Sequence, residues 1–359
     1  MRIATYNVEW FNALFDDDGR LWEDGAPSAR YGISRGRQAV ALGAVFAALE
    51  ADAVLVVEAP DNGPRRSTVR ALERFAARFG LRTRRALIGF ANDTQQEIAL
   101  LYDPDAVEAL HDPQEGPPPR FDGATRIDLD NDGLGETVRF SKPPLEVRLT
   151  PRRGAALRLI GVHMKSKAPH GARDSAHALR IAIQNRRKQL AQCLWLRGRV
   201  AAHLATGEPL IVLGDFNDGP GLDDYEALFG RSGVEIVLGS EEEPPELRLQ
   251  EAHARRALSQ RIGVLPASAR FWLAEERRYF PALIDFVMLS PDLAARCAPR
   301  WRIWHPFDDP KIYADAALRE ALLAASDHFP VSVDLDPAGL SSGAGSGQTS
   351  AQGGMEGGG

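Results

Sequence analysis

Apolar positions along this chain fall into two spacings. Between Gly36 and Leu49, the residues Val40, Leu42, Val45, Phe46 and Leu49 recur at helical intervals. Thr68 to Phe79 and a long stretch from about Ala176 to Leu204 read the same way, and a short helix is predicted over 223–229. Elsewhere, short apolar runs stand between polar residues and predict strands at 2–8, 53–57, 81–90, 97–102, 145–150, 157–162, 209–213, 283–289 and 331–335. A run such as Ala53-Val54-Leu55-Val56-Val57 has no polar alternation, which suits a strand buried on both faces. Short connections predict hairpins and longer ones predict parallel crossovers, so the pattern reads as a mixed sheet pair with helices outside.

Composition narrows this picture. At 359 residues, with 44% hydrophobic and 26% charged positions, the chain has enough apolar material for a packed core. Pro337 to Gly359 is Gly, Ser and Gln with almost nothing apolar, so residues 1–336 are expected to fold as one domain followed by a disordered tail. Gly116-Pro117-Pro118-Pro119 and Glu241-Glu242-Glu243-Pro244-Pro245 read as surface loops, and no repeat of fixed period is present. A net charge of -6 argues against a large basic footprint on long nucleic acid, though a local basic groove stays open. Cys193 and Cys297 match no metal or redox spacing and read as free thiols in a reducing compartment. The first residues already read as a strand, with no signal-like apolar segment and no run near the ~20 residues of a membrane span. A cytoplasmic location is the expectation, the alternative being a leader removed or missed. No obligate protein partner is evident.

The chemistry sits at strand ends. Asn7 and Glu9 fall on one side of the first strand, either as a functional pair or as ordinary polar capping. Glu58 follows five apolar residues, where an unpaired carboxylate is costly, so it should meet water, a cation or a metal. His163 ends another apolar run and leads into Met164-Lys165-Ser166-Lys167, either a satisfied polar group or part of an anion site. The helix beyond carries Arg180, Arg186, Arg187, Lys188, Arg197 and Arg199, read mostly as a solvated face with a minority reaching substrate phosphates. In Gly214-Asp215-Phe216-Asn217 the glycine permits a sharp turn and sets Asp215 and Asn217 on one side. Asp215 suits aligning or deprotonating a water, and Asn217 suits donation to a phosphoryl oxygen. Asp285 lies inside an apolar strand and needs a partner, for which His328 of Ser326-Asp327-His328 is the natural choice. Asp327 is then free to reach a metal with Glu58. Hard oxygen ligands, an amide and an imidazole together suit metal-assisted attack on a phosphate ester. Asp128-Leu129-Asp130-Asn131-Asp132-Gly133 begins like a calcium loop, but Arg139 stands where its twelfth-place Glu belongs. It reads as a β-turn between two strands.

Taken in this order, Asn7, Glu58, His163, Asp215, Asn217, Asp285, Asp327 and His328 resemble the endonuclease/exonuclease/phosphatase superfamily over nearly the whole chain to about residue 335. Gly-Asp-Phe-Asn and Ser-Asp-His are the most specific motifs. The resemblance implies an α/β (α+β), DNase I-like fold: a four-layer αββα sandwich of two mixed, mainly antiparallel sheets flanked by helices. It also implies Mg2+ or Mn2+ as cofactor, with Glu58 as principal ligand and Asn7, Glu9, Asp327 and Asp215 around it. Asp285 and His328 look like the family's Asp-His pair, and Asp215 and Asn217 would position water and scissile phosphate. His163 sits where nuclease members carry a phosphate-contacting His that serves the leaving group, and Lys165 and Lys167 read, from their place beside it, as further phosphate contacts. Two departures stand out: Val57 where relatives often have Gln before the metal-binding Glu, and Lys142-Pro143-Pro144 where they often have Arg before the prolines. The implied activity is hydrolysis of phosphodiester bonds in nucleic acid by an activated water. The alternatives are a phosphatase acting on a small phosphorylated molecule or lipid headgroup, and a catalytically silent binding module.

Overall fold

The continuous apolar runs do form strands covered on both faces. The computed structural model describes residues 1–92, 94–129, 133, 135–169, 171–220, 230–259, 265–274 and 276–341. In chain order the strands are β1 (Arg2–Asn7), β2 (Ala53–Ala59), β3 (Arg85–Ile88), β4 (Glu97–Tyr102), β5 (Val107–His111), β6 (Thr125–Ile127), β7 (Glu136–Val138) and β8 (Leu145–Pro151). They continue as β9 (Leu157–His163), β10 (Leu210–Asp215), β11 (Ala269–Leu273), β12 (Arg278–Ala282), β13 (Asp285–Leu289), β14 (Arg300–Ile303) and β15 (Val331–Asp334). The helices used below are α1 (Arg35–Leu49), α2 (Thr68–Phe79), α3 (Ser175–Ala205), α4 (Gly233–Leu238), α5 (Ala316–Ala325) and α6 (Pro337–Ser341). The first three begin at side-chain caps: Ser34, Ser67 and Asp174 each accept from the backbone N–H three residues on.

One sheet has the order β14-β15-β1-β2-β4-β3 and the other β13-β10-β9-β8-β5. Each holds one parallel pair, β1 with β2 and β9 with β10, among otherwise antiparallel neighbours. Strand alternation sorts the side chains into three apolar layers. Ile3, Leu55, Val57, Ile211 and Leu213 pack between the sheets. Tyr6, Val54 and Val56 face α1, α2 and α5, whereas Ile160, Val162 and Val212 face α3 and α4. This is the four-layer sandwich expected. Gly161 leaves room for Leu55 of the facing sheet, since an added Cβ would lie 2.3 Å from Leu55 Cδ1.

Several expectations need correction. The predicted strand over 81–90 shortens to β3, and β5, β14 and the hairpin β11–β12 had not been read as strands. The boundary at 336 cuts the fold short, because α6 packs Gly339 and Leu340 into the interior. Arg186 and Arg199 are buried (1% and 3% exposed), not solvated, because each neutralises a buried acid: Arg186 pairs with Asp218 and Arg199 with Glu146. β6 and β7 pair on either side of the calcium-like segment, where Gly133 N donates to Asp128 Oδ2; residues 130–132, like the predicted helix at 223–229, lie outside the described residues. Cys193 and Cys297 are both free and buried. Among the described residues no helix is long and apolar enough to cross a membrane.

Candidate active site

Register brings the polar strand ends together. In the second sheet Asp215 stands directly opposite His163 on β9 and opposite Asp285 on β13, which sets the three in a row across neighbouring strands. Gly214 permits this row: its φ is +140° and a Cβ there would lie 2.0 Å from the carbonyl oxygen of Val162. In the first sheet β1 and β2 run parallel with Asn7 opposite Val57. A bulge between Val57 and Ala59 turns Glu58 out of the apolar face of β2 and into the cleft.

These ends line one cleft of about 990 Å³. The amide of Asn7 bridges the two sheets, donating to Asp215 Oδ2 at 3.0 Å and to Glu58 Oε1 at 3.4 Å. Glu58 Oε2 accepts from Trp10 N at 2.8 Å and Gln96 Nε2 at 2.7 Å. Asp215 Oδ1 accepts from Asn217 N at 2.7 Å, and the Asn217 amide donates to Met164 O and to Asp215 Oδ2. His328 Nδ1 lies 2.9 Å from Asp285 Oδ2, an oxygen that also accepts from Ser268 Oγ at 2.8 Å. Asp327 lines the same cleft, with its Oδ1 4.0 Å from His328 Nε2. Glu9 does not continue the strand. With φ at +44° it turns toward Arg30 and accepts from both Arg30 Nη1 and Asp327 N, bracketing the C-terminal segment.

Of eight described non-glycine residues with positive φ, five line this cleft: Glu9, Trp10, Glu58, Gln96 and Asn217. Each such conformation costs on the order of 1 kcal/mol, so the hydrogen-bond network must hold them.

The acids crowd one another. Burial, reinforced by Asp285, pushes the Asp215 carboxyl up to about 7, and burial with Asp327 nearby pushes Glu9 up to about 7. Burial also acts against the His328 imidazolium, but the Asp285 charge and hydrogen bond outweigh it and raise His328 well above the ordinary range. His163 moves the other way, lowered well below the ordinary range by burial first and by Lys142 second. Burial lowers Lys142 and Lys165 too. Lys165 lines the cleft with no ion pair to a described acid, whereas Lys167 is paired with Asp218 Oδ1 at 2.9 Å.

The donor set fits a divalent cation. It offers hard oxygens from Asn7, Glu58, Asp215 and Asp327 in one cleft, and Asp285 Oδ1 is buried with no hydrogen-bond partner. Asp215, Asp285 and His328 also offer ligand atoms within 4.8 Å of one another.

The sequence matches the profile of the Endonuclease/Exonuclease/phosphatase family over residues 4–328. The chain belongs to this family. As a member it is a hydrolase of phosphate esters, and the family is generally dependent on divalent metal. No curated protein matches the sequence. Among solved structures, it is similar to the 3'-5' exonuclease NExo from Neisseria meningitidis at 14% identity, covering 94% of this chain and 100% of that one, TM-score 0.48. TDP2 from Caenorhabditis elegans is similar at 14% identity, 92% and 73% coverage and TM-score 0.46. An AP endonuclease from Archaeoglobus fulgidus is similar at 13% identity, 94% and 99% coverage and TM-score 0.45.

Asn7, Glu9, Glu58, His163, Lys165, Lys167, Asp215, Asn217, Asp327 and His328 all line this cleft, and Asp285 contacts His328 from behind it. Sequence reasoning assigned no role to four partners. Gln96 holds Glu58, Arg30 holds Glu9, Ser268 holds Asp285, and Lys142 reaches both Gln96 and His163. Only Lys142 carried a local signal, the prolines that follow it.

Proposed function

We propose that the cleft hydrolyses phosphodiester bonds with Mg2+ or Mn2+, as a nuclease or related phosphodiesterase. The observation that supports this best is the Asn7 amide joining Glu58 of one sheet to Asp215 of the other. That contact concentrates anionic oxygens where a cation and a phosphate would meet. A cleft of about 990 Å³ also exceeds what a single phosphate group needs, which favours a diester with an arm on each side.

Glu58, Asn7, Asp215 and Asp327 would hold the cation, with Glu9 fixing the Asp327 backbone. A bound Mg2+ or Mn2+ would supply charge neutralisation at the phosphate. Asp215, held by Asn7 and Asn217, takes the proton of the attacking water at Oδ2. His328, with Nδ1 fixed by Asp285, presents its Nε2–H to a phosphoryl oxygen. His163 and Lys165 meet the same phosphate from the other side. Phe271, Phe280 and Ile284 wall the cleft near His328 and limit access of bulk water.

The test uses bis(4-nitrophenyl) phosphate with and without EDTA. Asp215→Asn and His328→Ala are each expected to lose at least about a hundredfold in rate while keeping wild-type circular dichroism. Turnover retained in both variants would sink the assignment. Plasmid nicking beside phosphate release from a metabolite panel then separates nucleic acid from small phosphorylated substrates.

A further inference from the structure

Lys142 lies directly before Pro143 and Pro144 and lines the cleft. Its ammonium sits 2.6 Å from Gln96 Oε1 and 3.2 Å from His163 Nδ1. An ammonium has three donors and no acceptor, so both neighbours must accept from it. With the Gln96 amide and the His163 ring oriented as they stand here, two consequences follow. The Gln96 oxygen is committed to Lys142, which leaves its NH2 for Glu58 Oε2 at 2.7 Å. The His163 Nδ1 must be bare, which leaves the ring hydrogen on Nε2. That atom lies 3.8 Å from Asp215 Oδ2, beyond hydrogen-bond reach and on the side where the phosphate would sit.

We propose that Lys142 is a positioning residue that locks His163 as its Nε2–H tautomer, so that His163 meets the substrate as a fixed neutral donor and not as a proton shuttle. The arrangement reverses the one at His328. There a carboxylate accepts from Nδ1–H and favours the imidazolium; at His163 a cation donates to bare Nδ1 and opposes a second ring proton. The two histidines near Asp215 are thereby given different work. Protonation of the leaving oxygen then falls to solvent or to His328. What His163 donates to rests on the phosphodiesterase reading; its tautomer does not.

Long-range 1H–15N correlation on histidine-labelled, metal-free protein at neutral pH reads the tautomer directly, with the His163 signal assigned by its loss in His163→Gln. Wild type and Lys142→Arg are expected to show bare Nδ1 and protonated Nε2 alone, and Lys142→Met and Lys142→Gln are expected to relax toward the weaker Nε2–H preference of a free imidazole, with a measurable Nδ1–H fraction. A protonated Nδ1 in wild type, or an unchanged tautomer in both uncharged variants, overturns the proposal. A kinetic cycle adds the coupling. Lys142→Met is expected to lower kcat on bis(4-nitrophenyl) phosphate about thirtyfold in wild type but less than about threefold in His163→Ala. Equal losses in the two backgrounds would show that Lys142 acts independently of His163. Absence of any wild-type turnover would defeat the phosphodiesterase reading alone, because the spectra still decide the tautomer.

Discussion

Asp285→Asn is the most informative single change, because it removes a charge and almost no volume. Two opposing influences act on His328: burial disfavours the imidazolium, and the Asp285 carboxylate, 2.9 Å from Nδ1, favours it. The carboxylate supplies the two largest raising contributions, by charge and by hydrogen bond, ahead of Asp215 and Asp327. Without them only the smaller influences of Asp215 and Asp327 oppose burial. His328 is then expected to titrate below its ordinary 6.5, whereas in wild type it titrates well above it. A raised folded pKa gives stability that is fully present below the unfolded value and lost as pH rises through the folded one. The stability gap between wild type and Asp285→Asn should therefore be widest below the unfolded 6.5 and should close in alkali. The variant also loses the group that fixes the ring, so kcat should fall on the order of a hundred- to ten-thousandfold. Following the His328 Cε1–H resonance against pH in metal-free protein reads the first effect, and urea melts at several pH values read the second. A His328 that still titrates above 6.5 in the variant would refute the reasoning, whatever the activity showed.

Two further changes probe the frame that carries the site. Glu97 is buried, and burial more than any neighbour pushes its carboxyl up to about 7 from an ordinary 4.5. Its contribution is present below 4.5 and lost as pH rises through about 7. Glu97→Gln should flatten that decline by on the order of 2 kcal/mol once solvent screening is allowed for, as read by urea melts at pH 5 and 8; an unchanged slope would show that Glu97 is not its source. Gly161→Ala should cost roughly 1–3 kcal/mol by driving a methyl into Leu55 Cδ1, 2.3 Å away, and Leu55→Ala in the same chain should recover part of it. Equal stability of Gly161→Ala and wild type in urea would mean the sheets separate freely there.

Strands β2, β10 and β13 were legible because each is buried on both faces and spells an apolar run next to its site residue. Val54 and Leu55 face opposite layers, yet both had to be apolar. Half-exposed strands gave no such signal. In β12, Arg278-Tyr279-Phe280-Pro281 mixes exposed and half-buried positions, and a proline inside it reads as a break. The site's polar partners were illegible for another reason. Gln96 reaches Glu58, and Arg30 reaches Glu9, only after loops distant in sequence are packed together. Arg186 misled the reading because nothing in a helical Arg distinguishes a solvated face from a buried pair until its acid, Asp218, is placed.

Strand direction explains why residues from both ends of the chain share one cleft. A parallel pair sets two C-terminal ends side by side, and each sheet has one such pair among the described strands. Those ends deliver Asn7 and Glu58 in one sheet and His163 and Asp215 in the other. The remaining groups reach the same edge from the opposite direction. β13 runs antiparallel to β10, so its first residue, Asp285, lies against the last residue of β10. β15 runs antiparallel to β1 and begins opposite Thr5, so Asp327 and His328, just ahead of it, arrive beside Asn7. Ser326 fastens this arrival by donating its hydroxyl to the Asn7 carbonyl at 2.8 Å. A reactive group at the end of a parallel strand, or at the start of its antiparallel neighbour, falls on this edge whatever the sequence separation; the same group at the other end of either strand faces away from the cleft.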